Sequence, residues 1–274
     1  MAVISRKSRK STNPSSTYLS EHSGNVTSQF GEDGIIKRIF EIMQPRNKWC
    51  VEFGAWDGKY LSNTWALINE EQWSGVLIEA NPERSSELRN EYMTRSGSVF
   101  VECGTVGWEG DQRLDAILAR TPTPHDFDLV SIDIDGNDWH VWNALQDYRP
   151  RVVVIEFNPT ASNTMYFVQD ANPEINQGCS LLALIELGKL KGYELIATTI
   201  TNAIFVASDD YYKFEISDNT IDSMHEESIV TEICHGYDGT IFAAGHMMLN
   251  WHSVPLSQED FQILPVSQRK YSGS

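Results

Sequence analysis

The chain has 274 residues, 41% of them hydrophobic and 11% aromatic, which is enough for one large domain with a substantial core. A formal net charge of −17 disfavours nucleic acid and anionic membranes as partners, because both repel an acidic surface. The four cysteines are too far apart for a zinc knuckle or a CxxC motif, and Cys50 and Cys103 are predicted to be reduced core residues. No apolar run of membrane-spanning length and no signal-peptide pattern is found, which predicts a cytoplasmic protein.

The first 27 residues are polar and rich in serine and threonine, with a basic cluster "RKSRK". They are predicted to form a flexible tail, and a targeting or polyanion-binding arm is the alternative. From Thr27 the pattern changes, and apolar residues recur at helical spacing between Ile35 and Met43. This spacing predicts the first helix.

Strands and helices then alternate five times with short connections, and the strands are apolar along their whole length. This pattern predicts an α/β fold with a parallel sheet covered by helices on both faces. Two further strand-like stretches flank a tight turn at Thr201–Asn202, and they predict a hairpin with an antiparallel last strand. The seven predicted strands are "KWCVEFGAW", "SGVLIEAN", "SVFVECG", "FDLVSIDID", "RVVVIEFN", "YELIATTI" and "AIFVAS".

Two segments fall outside this alternation. Residues 160–178 form a connection that is long for its position, and such loops are often lids or substrate walls. Residues 209–274 form an acidic, histidine-containing extension of uncertain structure. The predicted organisation is therefore a tail to residue 27, a main domain over 28–208 and an extension over 209–274.

Polar residues, mostly acids and amides, end every one of the first five strands. In an open parallel sheet the carboxyl ends of the strands form the ligand-binding edge. Like charges crowded at one edge repel each other, so a cation or a donor-rich ligand is expected there. The candidates from the first three strands are Glu52, Gly54, Ala55, Asp57, Gly58, Glu79, Ala80, Asn81, Cys103 and Gly104.

The turn after the first strand indicates the kind of ligand. Gly54 and Gly58 allow close approach of the backbone, and Glu79 follows at the end of the second strand, the usual place for an acid that binds ribose hydroxyls. The turn lacks a full GxGxxG, and Glu52 and Asp57 would repel a pyrophosphate. These features favour S-adenosylmethionine, which carries an ammonium group, a sulfonium and a ribose, over a dinucleotide.

The stretch "DIDGND" after the fourth strand raises the question of a metal. Asp133 and Asp135 are two residues apart, and with Glu156 or Asn158 from the next strand they could offer oxygen ligands to Mg²⁺. The alternative is that Asp133 orients the cofactor and Asp135 caps the following helix.

Two other positions are candidates for the site. His140, on the helix "DWHVW", is a candidate general base or else an ordinary surface residue. Gln29 and the pair Glu32–Asp33 precede or open the first helix, where they either cap it or cover the cofactor.

A series of motifs occurs in the order "SQFGEDG", "VEFGAWDG", "GVLIEANP", "DLVSIDIDGND", "VVVIEFNP" and "GCSLLALIELGKLKGYELI…TNAIFV". By these motifs the chain resembles the FkbM-type branch of class I S-adenosylmethionine-dependent methyltransferases over roughly residues 27–207. The resemblance implies a seven-stranded, mostly parallel Rossmann-like sheet and methyl transfer, often to a hydroxyl oxygen. It implies that Glu52, Gly54 and Gly58 line the methionine part and that Glu79 holds the ribose. It also implies that Cys103 and Gly104 lie near adenine and that Asp133 faces the reacting methyl group.

The predicted function is thus O-methylation of a small-molecule or sugar hydroxyl, with S-adenosylmethionine as cofactor and Mg²⁺ as a second candidate. Aminopropyl transfer or cyclisation of the same cofactor on the same fold is the first alternative. A nicotinamide-dependent oxidoreductase and a non-catalytic binding module are the others. The expected partner is a small-molecule acceptor, and a homo-oligomer is left open.

Overall fold

The computed structural model describes residues 4–6, 13–95 and 98–271. The chain divides into two compact units, which are described separately below. The first comprises Ser11–Asn158 and Asn163–His225, and the second comprises Met1–Lys10, Pro159–Ser162 and Glu226–Ser274.

The first unit alternates strands and helices through most of its length. Its strands are β1 Trp49–Phe53, β2 Ser74–Glu79, β3 Val99–Cys103, β4 Leu129–Ile132, β5 Val152–Glu156, β6 Tyr193–Thr198 and β7 Asn202–Ala207. Its α-helices are α1 Glu32–Met43, α2 Trp65–Asn69, α3 Pro82–Glu91, α4 Leu114–Leu118, α5 Asp138–Ala144, α6 Leu181–Lys191, α7 Ser208–Tyr211 and α8 Ile221–Met224. Short 3-10 helices lie at Tyr18–His22, Met93–Arg95, Gly110–Gln112 and Tyr212–Phe214.

The seven strands form one sheet in the order β3-β2-β1-β4-β5-β7-β6. Strands β1 to β5 pair in parallel, and β7 pairs antiparallel with both β5 and β6. This is the mostly parallel Rossmann-like sheet with an antiparallel last strand that the sequence predicts. The hairpin turn occupies residues 199–201, and Asn202 already belongs to β7 and not to the turn.

The core lies on both faces of this sheet because its central strands carry apolar side chains in both directions. All described positions of β4 and β7 are buried, as are all but one of β5 and β1. Helix α1 contributes the side chains of Ile35, Ile36, Ile39 and Phe40, all nearly or fully buried, at the spacing that predicts it. Strand order and burial together bring the carboxyl ends of β1 to β4 to one edge of the sheet.

Part of the predicted tail is folded. Residues 13–27 include the 3-10 helix Tyr18–His22, whose Leu19 is fully buried in the core of the first unit. The tail prediction missed this turn because one apolar anchor among polar residues gives no periodic pattern. The remaining tail positions 1–3 and 7–12 lie outside the described residues.

The boundary predicted after residue 208 also differs from the structure. The first unit continues to His225, through α7, α8 and the buried side chains of Phe214, Ile216 and Met224. The second unit contains two small antiparallel sheets, formed by β8 Thr231–His235 with β9 Ile241–Gly245 and by β10 Met248–Leu249 with β11 Val254–Pro255. It also has 3-10 helices at Asn250–His252, Gln258–Phe261 and Val266–Gln268.

No helix within the described ranges combines the length and the apolar character needed to span a bilayer.

Candidate functional site

A cavity of about 350 Å³ opens at the carboxyl edge of the sheet in the first unit. Its walls come from the ends of β1 and β2, from the loops that follow β3 and β4, and from Pro173 of the long 160–178 connection. Most of the wall is apolar, including Phe53, Ile78, Val106 and Ile134. A largely apolar cleft with a few polar groups is the usual form of a small-molecule site.

Glu79 is the carboxylate at the end of β2 in this wall. It is buried, and its Oε2 accepts a hydrogen bond from the backbone N–H of Trp56 at 2.8 Å. Its Oε1 accepts one from the N–H of Asn81 at 2.7 Å. These bonds tie the loop after β1 to the loop after β2, and each oxygen retains a second lone pair for a ligand hydroxyl.

Two of the glycines that line this cavity, Gly54 and Gly104, differ in their physical role. Gly54 has φ of +73°, and a Cβ built on it would lie 2.2 Å from the backbone oxygen of Asp133. Gly104 has no such restriction, because a Cβ there would meet no atom of the described chain within 4 Å. Gly54 therefore permits close packing of two loops, whereas Gly104 leaves open space. Gly58, with φ of +76°, packs against Leu88 outside the cavity wall.

Of the remaining candidates from the first three strands, one lines the cavity wall and the others lie outside it. Ala80 lines the cavity, and Ala55 is buried beneath it with its N–H bonded to the Ile78 carbonyl. Asn81 instead caps α3, because its Oδ1 accepts from the N–H groups of Glu83 and Arg84. Cys103 is exposed and not the core residue that the sequence predicts, since β3 is an edge strand.

The predicted acidic cradle for the ammonium group is not formed by Glu52 of β1 and Asp57 of the loop that follows it. Glu52 is buried, and its carboxylate accepts hydrogen bonds from the hydroxyls of Ser62 and Thr64 and from the N–H of Asn63. Asp57 accepts from two backbone N–H groups of its own turn. Neither Glu52 nor Asp57 is among the described residues of the cavity wall. Both carboxylates instead hold loops in place.

The helix-opening candidates are structural as well. Oδ2 of Asp33 accepts from three consecutive backbone N–H groups, those of residues 26–28, at 2.8 Å each. Glu32 accepts from Thr199 and Asn202. Gln29 is exposed and does not belong to the described cavity wall. The N-cap residue of α1 is Gly31, with no side-chain capping bond, so these acids hold neighbouring loops in place and do not cap the helix.

Three of the four candidate metal ligands converge beside the cavity. Carboxylate oxygens of Asp133, Asp135 and Glu156 all lie within 4.8 Å of one another. The fourth, Asn158, uses its Nδ2 to donate to the Gln177 carbonyl. Asp135 has φ of +56° and does not cap the next helix, whose N-cap residue Asn137 makes no side-chain capping bond. Asp138, the first residue of that helix, accepts from the N–H groups of Ile134 and Gly136 in the preceding loop.

Crowding shifts the proton affinity of this cluster. Burial raises the pKa of Asp133, and the carboxylate of Asp138 raises it further. Burial and then the charge of Asp133 raise the pKa of Glu156. Burial also raises the pKa of Asp138 to about 6. Asp133 and Asp135 are exposed to solvent, and water therefore screens part of the repulsion between the carboxylates. This screening reduces the size of the pKa shifts and leaves their direction unchanged.

The raised pKa of Glu156 predicts how stability responds to pH. Above its ordinary value near 4.3, the unfolded chain releases the proton while the folded chain retains it, so rising pH favours unfolding. We expect the free energy of unfolding to fall between about pH 5 and pH 8, and Glu156→Gln to flatten this slope and to stabilise the protein by about 1 kcal/mol at pH 8.

Chemical denaturation at several pH values in the presence of EDTA measures the effect. The control is Glu83→Gln, an exposed glutamate on α3, which should follow the wild-type slope. A Glu156→Gln profile parallel to that of the wild type would contradict the assignment.

His140, the other candidate base, lies beside the cavity without lining it. Its Nε2 donates to the carbonyl oxygen of Gln169 at 2.8 Å, and its ring centroid is 5.7 Å from that of Trp108, a wall residue. The bond to Gln169 occupies one ring nitrogen. The structure therefore supports a role for His140 in holding two loops together more directly than a role as base.

Asn137 is a wall residue that the sequence puts at the carboxyl end of the fourth strand but to which it assigns no role in the site. Its side chain is buried, and its Nδ2 donates to the carbonyl oxygen of Asn172 at 3.0 Å, next to Pro173. An asparagine directly before a helix is usually a cap, so its sequence position gave no signal of a ligand contact.

The wall fits an S-adenosyl nucleoside on three counts. Glu79 offers carboxylate oxygens where ribose hydroxyls are expected, Gly104 leaves space beside it, and the apolar remainder suits a flat base. The methionine part finds fewer partners than predicted, because Glu52 and Asp57 are engaged elsewhere.

No protein-family model matches the chain. No curated protein matches it either. Among solved structures, the N-terminal domain of EvdMO1 with S-adenosylhomocysteine bound is 12% identical, with a TM-score of 0.43 over 64% of this chain and 80% of that one. An S-adenosylmethionine-dependent methyltransferase from Aquifex aeolicus is 10% identical, with a TM-score of 0.38 over 65% and 89%. One from Clostridium acetobutylicum is 9% identical, with a TM-score of 0.40 over 64% and 89%. Similarity at this level carries no conclusion about activity.

Proposed function

We propose that the first unit is an S-adenosylmethionine-dependent methyltransferase of the FkbM type that methylates a hydroxyl group of a small molecule or sugar. The observation that carries the proposal is Glu79, a buried carboxylate at the end of β2 in the wall of a largely apolar cavity. This is the position from which Rossmann-like sheets bind ribose.

The residues of this chain would act mainly by binding and orientation. Glu79 and the backbone at Gly54 hold the nucleoside, and Pro173 with the β3 loop limits access of water. When bound, the cofactor supplies an electrophilic methyl group. In its ionised form the carboxylate of Asp133 would accept the proton that an acceptor hydroxyl loses, whereas Glu156, whose raised pKa keeps it protonated near neutral pH, would not.

Incubation with labelled S-adenosylmethionine and a metabolite extract tests this proposal. S-adenosylhomocysteine as product, together with a labelled acceptor, is expected. Methylthioadenosine in its place would contradict methyl transfer and support aminopropyl transfer or cyclisation.

We expect Asp133→Asn to reduce turnover about tenfold while the affinity for S-adenosylhomocysteine stays within a factor of two. The loss of turnover should be smaller than is usual when a general base is removed, because the carboxyl groups of Asp135 and Glu156 remain beside position 133. Product formation and calorimetry on the same preparation separate the two effects. Equal losses of rate and affinity would assign Asp133 to cofactor binding, and an unchanged rate would remove it from the chemistry.

A role for Mg²⁺ stays a prediction. Ligands about 2.1 Å from the ion can be at most about 4.2 Å apart, and the three carboxylates have oxygens within 4.8 Å of one another, close to this requirement. Binding would also relieve their repulsion. We expect Mg²⁺ to raise the melting temperature of the wild type more than that of Glu156→Gln; equal shifts would argue against this site.

A further inference from the structure

Residues 170–177, at the tip of the long connection after β5, bring Pro173 into the cavity wall. A tight turn that begins at Asn172 places it there. The carbonyl oxygen of Asn172 accepts from the N–H of Ile175, and its Oδ1 accepts from the N–H of Glu174 at 2.8 Å. Proline favours the second position of such a turn, and asparagine favours the first. The apex of the turn is therefore the part of the connection that reaches the cavity.

The 170–177 segment has no hydrophobic anchor of its own. Every residue from 170 to 177 is exposed or half-buried. Burial of apolar side chains is the main force that holds secondary elements to a core, so hydrogen bonds must hold this segment in its place. A segment with few buried apolar contacts can open at a low cost in free energy while the sheet stays folded.

Gln169 supplies three of these hydrogen bonds from inside the segment. Its side chain is only 2% exposed. Its Oε1 accepts from the N–H groups of Gln177 at 2.7 Å and Gly178 at 2.8 Å, and its Nε2 donates to the carbonyl oxygen of Ile175 at 2.9 Å. Only a neutral amide can accept from two N–H groups and also donate to a carbonyl, so alanine cannot replace this side chain.

The segment also rests on the start of α5. The side chains of Asn137 and His140 each donate to a backbone carbonyl oxygen of the connection, at 3.0 Å and 2.8 Å. Gly136 packs directly against it, because a Cβ built there would lie 2.9 Å from Oε1 of Gln169 and 3.2 Å from the carbonyl oxygen of Ile175. The position of the segment therefore depends on close packing beside Gly136 as well as on the amide of Gln169.

We infer that the 170–177 segment is a gate of the cavity and that Gln169 is the positioning residue that keeps this gate closed. The inference rests on the proposed function. Gln169 does not belong to the described cavity wall, so it acts through the segment that carries Pro173. In the closed position the segment slows the escape of a bound ligand and the entry of water, and it opens as a unit about its two ends.

Hydrogen exchange of the ligand-free protein, followed by mass spectrometry, tests the role of Gln169. In Gln169→Ala the amides of Gln177 and Gly178 lose their acceptor, so the peptide that contains them should exchange about tenfold faster or more. Peptides from β4 and β5 should stay within about twofold of the wild type. The matched control is Gln177→Ala, which removes an exposed side chain of the same segment and keeps its backbone N–H, and it should exchange like the wild type.

Surface plasmon resonance with S-adenosylhomocysteine tests the gate itself. We expect Gln169→Ala to release the compound about tenfold faster than the wild type and than Gln177→Ala. Gly136→Ala leaves the amide of Gln169 in place but pushes the segment from the side of α5, so it should speed release about threefold or more. This second variant keeps the test available if Gln169→Ala does not fold.

Unchanged hydrogen exchange in Gln169→Ala would overturn the role of this residue. Faster exchange together with a wild-type release rate, or a wild-type release rate in Gly136→Ala, would overturn the gate while the proposed function stands. A wild type that binds no S-adenosylhomocysteine would instead overturn the proposed function and the gate with it, and the exchange result would still decide whether Gln169 holds the segment.

Discussion

Replacing Glu79 by alanine is expected to weaken binding of S-adenosylhomocysteine about 100-fold or more, since charge-assisted hydrogen bonds to ribose are each worth about 1.5–3 kcal/mol. The variant also leaves the N–H groups of Trp56 and Asn81 without their acceptor, which loosens the loops on both sides of the nucleoside. Glu79→Gln keeps one acceptor oxygen and should lose about tenfold. Isothermal calorimetry measures both.

The matched control for this experiment is Glu102→Gln. Glu102 lies near the end of the neighbouring strand β3, at the same edge of the sheet, but it pairs with Arg120 and does not line the described cavity wall. Its replacement should leave the affinity within about twofold of the wild type. A folded Glu79→Ala protein with wild-type affinity would remove the ribose assignment.

Gly54→Ala is expected to destabilise the protein by about 3 kcal/mol or more. The left-handed backbone costs a non-glycine residue about 1–2 kcal/mol, and relief of the close approach to the Asp133 oxygen costs about 1–3 kcal/mol more. The loop shift needed to accommodate the methyl group should also disturb the cavity, because Gly54 is part of its wall. Chemical denaturation gives the free energy of unfolding.

Gly104→Ala provides the comparison at the same cavity. A methyl group there meets no described atom within 4 Å, so the free energy of unfolding should change by no more than about 0.5 kcal/mol. Its effect should appear in the affinity for the nucleoside. Equal stability losses in the two variants would show that the contact with Asp133 does not determine the need for glycine at position 54.

The sheet could be predicted from the sequence because its strands are short apolar runs separated by helices of clear periodicity. The carboxyl ends of parallel strands necessarily meet at one edge, which is why the order of the strands along the chain was enough to group Glu79 with Gly104. The same reasoning could not decide where each side chain points. Glu52 lies near the carboxyl end of β1, as predicted, but its carboxylate is bound by the loop of residues 62–64.

Asn137 illustrates a second limit of prediction from the sequence. Its position before a helix predicts a cap, yet its side chain makes no capping bond and its Nδ2 donates to the carbonyl oxygen of Asn172. Likewise, the acids that line the cavity and would repel a pyrophosphate are Glu79 and Glu109, and not the predicted acids Glu52 and Asp57. Long-range contacts of this kind are set by tertiary packing and leave no local pattern.

A crystal structure of the protein soaked with S-adenosylhomocysteine tests the central claim most directly. We predict one molecule in the cavity at the ends of β1 to β4, with both ribose hydroxyls bonded to Glu79 and the adenine between the loops after β3 and β4. A structure with the cavity empty and the compound bound elsewhere, or with NAD⁺ seated there in preference to it, would contradict the claim.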